Sequence, residues 1–266
     1  LVIGAGPAGL AAALAAAESG ARVILCDEQA ELGGSLLSDL HATIDGKPAS
    51  EWVAQTVQTL RAKSGTVTLL PRTQAFGYFA QNFVGLVERV TDHLANPDSK
   101  LPRDRLWQVR AKEVVLATGA HERPLVFPDN DRPGIMLADA ARIFANRYGV
   151  RPGGRAVVAT AHDSAYQAAL DLKAAGVSIE RIVDLRHEAN GALPMAARAA
   201  GIRVDVATAI TGSTGSLRVK SARVSKIGTD GEEDIPCDLI LMSGGWTPSV
   251  HLFSQSRGKL KFDAER

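Results

Sequence analysis

Residues 1–20 read LVIGAGPAGLAAALAAAESG, and where this stretch is cut decides the fold. Taken as one apolar block it would pass for a membrane-crossing helix. Gly4, Gly6, Pro7 and Gly9 rule that out, because glycine and proline at this density make a turn and not a helix interior. LVI is then a short buried strand, GAGPAG a tight connection, and LAAALAAAE a run of strong helix formers stopped at Gly20. The strand RVILCDE follows and completes a β-α-β unit of the usual ~30 residues.

In that setting the spacing Gly4-x-Gly6-x-x-Gly9 carries chemistry. Gly4 permits the sharp turn, Gly6 lets backbone approach a pyrophosphate, and Gly9 lets the helix lie close on the strand. The phosphate rests on the helix N-terminus, which Pro7 and Ala8 open. Asp27, 23 residues after Gly4, ends the second strand. A carboxylate there accepts hydrogen bonds from an adenosine ribose and disfavours a 2′-phosphate; Glu28, next to it, is the alternative. Glu31-Leu32-Gly33-Gly34 supplies a second backbone approach, with Gly33 and Gly34 as its contacts, and Ala117-Thr118-Gly119 ends the strand EVVLATG beneath the turn. Gly244 and Gly245 close CDLILMSGG, which repeats the plan of EVVLATG, and join the candidate set.

The whole chain fits a globular α/β protein. It has 266 residues, 45% hydrophobic residues, mean hydropathy of zero and a formal net charge of +1. No run of like charge suggests nucleic acid or a membrane surface, so a small molecule or another protein is the expected partner. The two cysteines, Cys26 and Cys237, have no neighbour at metal-ligand spacing and make no disulfide scaffold, which fits a reducing cytoplasm. The sequence opens inside an apolar strand at Leu1 without Met, so it is expected to be a piece of a longer polypeptide.

Further along, EWVAQTVQTLRAK places Trp52, Val53, Thr56, Val57 and Leu60 on one stripe, with Ser50 as the expected helix cap, and TVTLLP returns as a strand. Residues 73–112 alternate as a three-stranded meander, with Tyr78, Phe79 and Phe83 expected in its core. A connection containing Pro124, Pro128 and Pro133 and a helix from about Leu137 to Tyr148 lead to a second β-α-β unit, RPGGRAVVAT to IERIVDLR. Strand DVATAI, turn-rich TGSTGS and a hairpin in LRVKSARVSKIGTDGEEDIP follow. The fold expected is a Rossmann-like FAD/NAD(P)-binding fold with a second, inserted Rossmann-like domain and a β-meander. The dinucleotide domain would span 1–136 with a return segment 240–266, and the insert 137–239.

The second unit lacks its glycines. Thr160, His162 and Ala165 stand at the three fingerprint positions, so it should not bind a dinucleotide in the ordinary way. His162 and Asp163 are adjacent but make no dyad; Asp163 or Ser164 is expected to cap the helix, and Arg186 to be solvated. His121, Glu122 and Arg123 read equally as ligand or subunit contacts and as a locally paired loop. No cysteine pair follows Gly33-Gly34 or sits in the second unit, which excludes disulfide reduction. No residue is assigned a catalytic role, and no metal set is visible.

The segments TGAHERPLVFPDNDRPGIMLADAARIFANRYGV, AYQAALDL and CDLILMSGGWTPSVHLFSQSRGKLKFD resemble the nucleotide-binding region of the alpha subunit of heterotetrameric sarcosine oxidase, and the likeness covers nearly all of the chain. That resemblance implies NAD on this chain, with FAD on the beta subunit oxidising sarcosine and covalent FMN lying at the alpha-beta interface. It also implies that the other sarcosine oxidase subunits are partners, and that a ferredoxin-like segment precedes and a folate-binding domain follows this region. Two alternatives stand beside it. One is an FAD-binding, electron-transferring subunit like those of dye-linked proline or opine dehydrogenases or hydrogen cyanide synthase. The other is a non-catalytic scaffold stabilised by nucleotide.

Overall fold

The computed structural model describes residues 1–262; the last four residues of the expected return segment, 263–266, lie outside them. The chain divides into two compact units. The first holds Leu1–Ala120 and the described residues from Pro248 onward, and the second holds His121–Thr247.

In the first unit β1 (Val2–Ile3) leads into α1 (Pro7–Glu18) and β2 (Val23–Cys26), and α2 (Ala49–Ala62) leads into β3 (Val67–Leu70). A meander of β4 (Thr73–Phe79), β5 (Phe83–Arg89) and β6 (Asp104–Arg110) precedes β7 (Val115–Leu116). The parallel sheet runs β3-β2-β1-β7. Strand alternation sorts its side chains: Val2, Val23 and Leu25 pack with Leu10, Ala13, Val53 and Leu60 on the helical face, and Ile3, Cys26 and Leu70 with Val84, Leu86 and Val109 on the meander face. The apolar stripe of α2 is the expected one. Its cap is not, since the helix begins at Ala49 after Pro48, whose fixed φ suits entry into a helix.

Phe79 also departs from expectation. It is half exposed and stacks at 5.6 Å on Phe83 at the end of the β4–β5 hairpin, while Tyr78 packs on the meander core and hydrogen-bonds Asn82 through its hydroxyl.

The second unit repeats the plan. Its parallel sheet runs β8 (Ile135–Leu137), β15 (Leu239–Ser243), β9 (Arg155–Thr160), β10 (Ser178–Asp184) and β11 (Val204–Val206). Helices α3 (Ala138–Tyr148), α4 (Ser164–Ala174) and α5 (Ala192–Ala199) pack with Val158, Ile182 and Leu241 on one face. A meander of β12 (Thr208–Thr214), β13 (Ser221–Lys226) and β14 (Glu232–Pro236) packs Ile210, Val224 and Ile235 with Val157, Val183 and Ile240 on the other. TGST, expected as a turn, is therefore strand, pairing with Ser221–Arg223.

The expected domain edges at 136/137 and 239/240 fall inside this unit, because β15 is hydrogen-bonded between β8 and β9. The chain returns to the first unit only at Pro248, where α6 (His251–Gln255) sets Leu252 on the meander face. No helix among the described residues is long and apolar enough to cross a membrane.

Candidate functional site

Three glycine elements of the first unit meet at the turn between β1 and α1. Gly4 has φ +94°, open to glycine but strained for other residues, and a side chain there would also overlap the Ala117 carbonyl. A side chain on Gly9 would overlap the Gly4 carbonyl oxygen. A Cβ on Gly34 would lie 2.7 Å from Gly6 Cα, and the Gly33 N–H donates to the Ala5 carbonyl at 2.8 Å. So Gly33-Gly34 docks on the first turn from one side and Ala117 from another, and each contact is backbone against backbone.

Gly6 differs from its neighbours: a Cβ there would meet nothing within 4 Å, and its N–H has no acceptor among the described residues. It precedes Pro7 at the start of α1, whose first-turn N–H groups lack intrahelical acceptors. This is a cradle of the size and polarity a pyrophosphate needs, so the residues fit the group. Thr118 and Gly119 are tied to the return segment, with the Thr118 hydroxyl donating to the Ser249 carbonyl at 2.8 Å and the Ser249 N–H to the Gly119 carbonyl at 2.9 Å. Sequence reasoning missed Ser249; an ordinary serine 131 residues from its partner leaves no local signal.

Asp27 ends β2 as expected, but its carboxylate is engaged. One oxygen accepts the Ala5 N–H at 2.6 Å and the other the Gln29 N–H at 2.8 Å. Glu28 is exposed. Cys26, fully buried beside them, has its thiol pushed up to about 12 by burial and by the Asp27 charge.

Gly244 and Gly245 belong to the second unit. There they pair with Arg123: the Gly244 N–H donates to its carbonyl at 2.7 Å, and the Arg123 N–H donates to the Gly245 carbonyl at 2.8 Å. Glu122 is buried and serves α3, accepting the Asp139 N–H at 2.9 Å near the helix start. Burial pushes its carboxyl above the ordinary value, against the pull of hydrogen bonds from Ser243 and Asp139. For Glu122 and Arg123 the local reading is thus the one with partners in the second unit.

The second turn is closed by its own side chains. Asp163 already has helical dihedrals, φ −66° and ψ −26°, as the first residue of a helix does, which keeps Thr160, His162 and Ala165 in register with Gly4, Gly6 and Gly9. The His162 N–H, equivalent to that of Gly6, donates to the Thr160 hydroxyl oxygen at 2.9 Å. The Ser164 N–H donates to His162 Nδ1 at 3.2 Å, so the imidazole caps α4 and neither Asp163 nor Ser164 does so through its side chain. Arg186 is not solvated. It bridges Asp163 at 2.8 Å and the fully buried Asp184 at 2.7 Å, and Tyr166 donates its hydroxyl to Asp184 at 2.7 Å. Those two carboxylates raise the guanidinium pKa further, and burial with the Asp184 hydrogen bond raises that of Tyr166.

Comparison with known proteins agrees with this geometry. The chain is 46% identical to the alpha subunit of sarcosine oxidase from Corynebacterium sp. (strain P-1) over 99% of its own length and 28% of that protein's. It is 29% identical to an opine oxidase subunit from Agrobacterium tumefaciens (strain Ach5) over 100% of its length and 56% of the relative's. It therefore spans roughly a quarter to a half of these relatives. Among solved structures, L-proline dehydrogenase from P. horikoshii matches with a TM-score of 0.71 and 23% identity over 98% of this chain and 45% of that one, a likeness of fold. The sequence pattern of the pyridine nucleotide-disulphide oxidoreductases matches residues 1–265, and the chain belongs to that family, whose fold implies binding of FAD or NAD(P).

Proposed function

We propose that this chain is the NAD-binding region of the alpha subunit of a sarcosine oxidase, within a complex that oxidatively demethylates sarcosine to glycine. The observation that carries the reading is the asymmetry between the two turns: one keeps the Gly6 N–H open above a helix start, and the other has spent every equivalent donor internally. The 46% identity to a sarcosine oxidase alpha subunit supports the choice of complex.

In this reading Gly6 and the first turn of α1, with Pro7 and Ala8, hold the pyrophosphate. Gly4, Gly9, Gly33, Gly34 and Ala117 shape the cradle, Thr118 and Gly119 floor it, and the acidic pair Asp27 and Glu28 disfavours a 2′-phosphate. A bound nicotinamide or flavin would supply hydride or electron transfer. No disulfide takes part, because Cys26 and Cys237 are free and buried in different units. Sarcosine oxidation, the FAD and covalent FMN that serve it, and the tetrahydrofolate chemistry belong elsewhere in the assembly.

The second reading, an FAD-holding electron-transferring subunit, draws on the opine oxidase relative and the L-proline dehydrogenase fold. Denaturing the purified protein and identifying the released nucleotide by absorbance and mass separates the two. NAD supports the first and FAD the second. A protein that releases none and binds neither on titration overturns both and leaves a scaffold. Gly6→Val is expected to abolish retention of either nucleotide.

A further inference from the structure

The hydrogen bonds around Ala5 link parts of the cradle that sequence treats separately. Ala5 is fully buried between Gly4 and Gly6, and both peptide groups flanking it are held. In a planar trans peptide the N–H and C=O point to opposite sides. The Ala5 N–H is fixed on Asp27, so the carbonyl of the same peptide, that of Gly4, points the other way, and it lies against Gly9 Cα. The Ala5 carbonyl is fixed by the Gly33 N–H, so the N–H of that peptide, belonging to Gly6, is turned away from Gly33 into the open space of the cradle. The same carboxylate anchors the following chain through the Gln29 N–H, and the Asp27 backbone is held in turn by Leu70 and Thr73.

We infer that Asp27 is a positioning residue: it presets the glycine turn that receives the phosphate, and leaves Glu28, exposed and without a hydrogen-bond partner among the described residues, as the carboxylate that reads the ribose hydroxyls. This division of labour rests on the dinucleotide reading above. It differs from the simplest expectation, in which the acid that ends the second strand acts on the ribose directly.

The test uses ADP, common to NAD and FAD, and its 2′,3′-dideoxy analogue, titrated into nucleotide-free protein. Asp27→Asn keeps the side-chain size but turns one acceptor oxygen into a donor facing a backbone N–H. A positioning role weakens both ligands by the same factor, about tenfold for a lost hydrogen bond to a charged group. Glu28→Gln is expected to weaken ADP severalfold and leave the dideoxy analogue unchanged. A loss in Asp27→Asn confined to ADP would overturn the assignment and return Asp27 to the ribose. If Asp27→Asn does not fold, Glu28→Gln decides alone: loss of the preference for ADP over its dideoxy analogue supports the assignment, and an undiminished preference overturns it. Wild-type protein that binds neither ligand overturns the nucleotide reading itself and this role with it.

Discussion

The turn at residues 4–9 and the turn at 160–165 connect a strand to a helix in the same way and end in opposite states. The first is built by removing side chains: wherever two backbones touch, at Gly4, Gly9 and Gly34, a Cβ would collide, and where they do not, at Gly6, the space is left open. The second is built by adding them. The Thr160 hydroxyl, the His162 imidazole and the Arg186 guanidinium take up the N–H groups and charges that a phosphate would otherwise meet. Glycine makes a ligand site because it leaves donors without local partners, and a fold keeps its shape without the ligand once side chains satisfy those donors.

Exchanging side chains between the turns is the most forceful way to break the comparison. Gly9→Ala drives a methyl into the Gly4 carbonyl, and urea unfolding is expected to record a loss of about 3 kcal/mol or more. Ala165→Gly, the reverse change, should cost only about 1 kcal/mol of helix propensity. Equal losses at the two positions would show that the turns are packed alike.

Arg186→Ala tests what fills the second turn. It strands the fully buried Asp184 with only the Tyr166 hydroxyl and the backbone N–H of residue 186, and about 2–3 kcal/mol of stability should go with it. If binding of ADP is unchanged in the same variant, the guanidinium has no part in nucleotide recognition.

The two thiols sharpen the contrast, since each lies in the core of one unit. Burial holds Cys26 at about 12 and Cys237 at about 11, so neither is expected to react with iodoacetamide at pH 8 until its unit opens. A dinucleotide held by the first turn, present at a hundred times its Kd, should slow alkylation of Cys26 by about a hundredfold and that of Cys237 by less. Greater protection of Cys237 would move the site to the second unit.

The smallest effect is a slope. The Glu122 carboxyl is raised by burial above its ordinary 4.5, so the native state holds this proton more firmly than the unfolded chain. The stability it contributes is full below about pH 4.5 and is lost as pH rises through the higher native value. Glu122→Gln, which still offers an oxygen to the Asp139 N–H, should flatten that part of the stability profile, and a profile identical to wild type would remove Glu122 from it.

Read from sequence alone, the strand-turn-helix at 1–20, the apolar stripe of α2 and both meanders' strand content are largely legible, because side-chain spacing and glycine placement are local properties of the chain. TGST was misread because glycine, serine and threonine are turn-formers by composition, while pairing with Ser221–Arg223 made them strand. The division into units was misplaced for a similar reason. Leu239–Ser243 repeats the pattern of the first sheet's strand, yet hydrogen bonds set it between β8 and β9.

The sequence by itself determined that one turn can accept a pyrophosphate and the other lacks the glycines for it, since that depends only on which residues carry a Cβ. The tertiary structure decided how each donor and acceptor is spent: Asp27 on the Ala5 N–H, Arg186 on Asp184, His162 on the start of α4. Hydrogen bonds form between groups that are close in space, and a chain's own order does not reveal which of its distant polar groups will be brought within about 3 Å of each other.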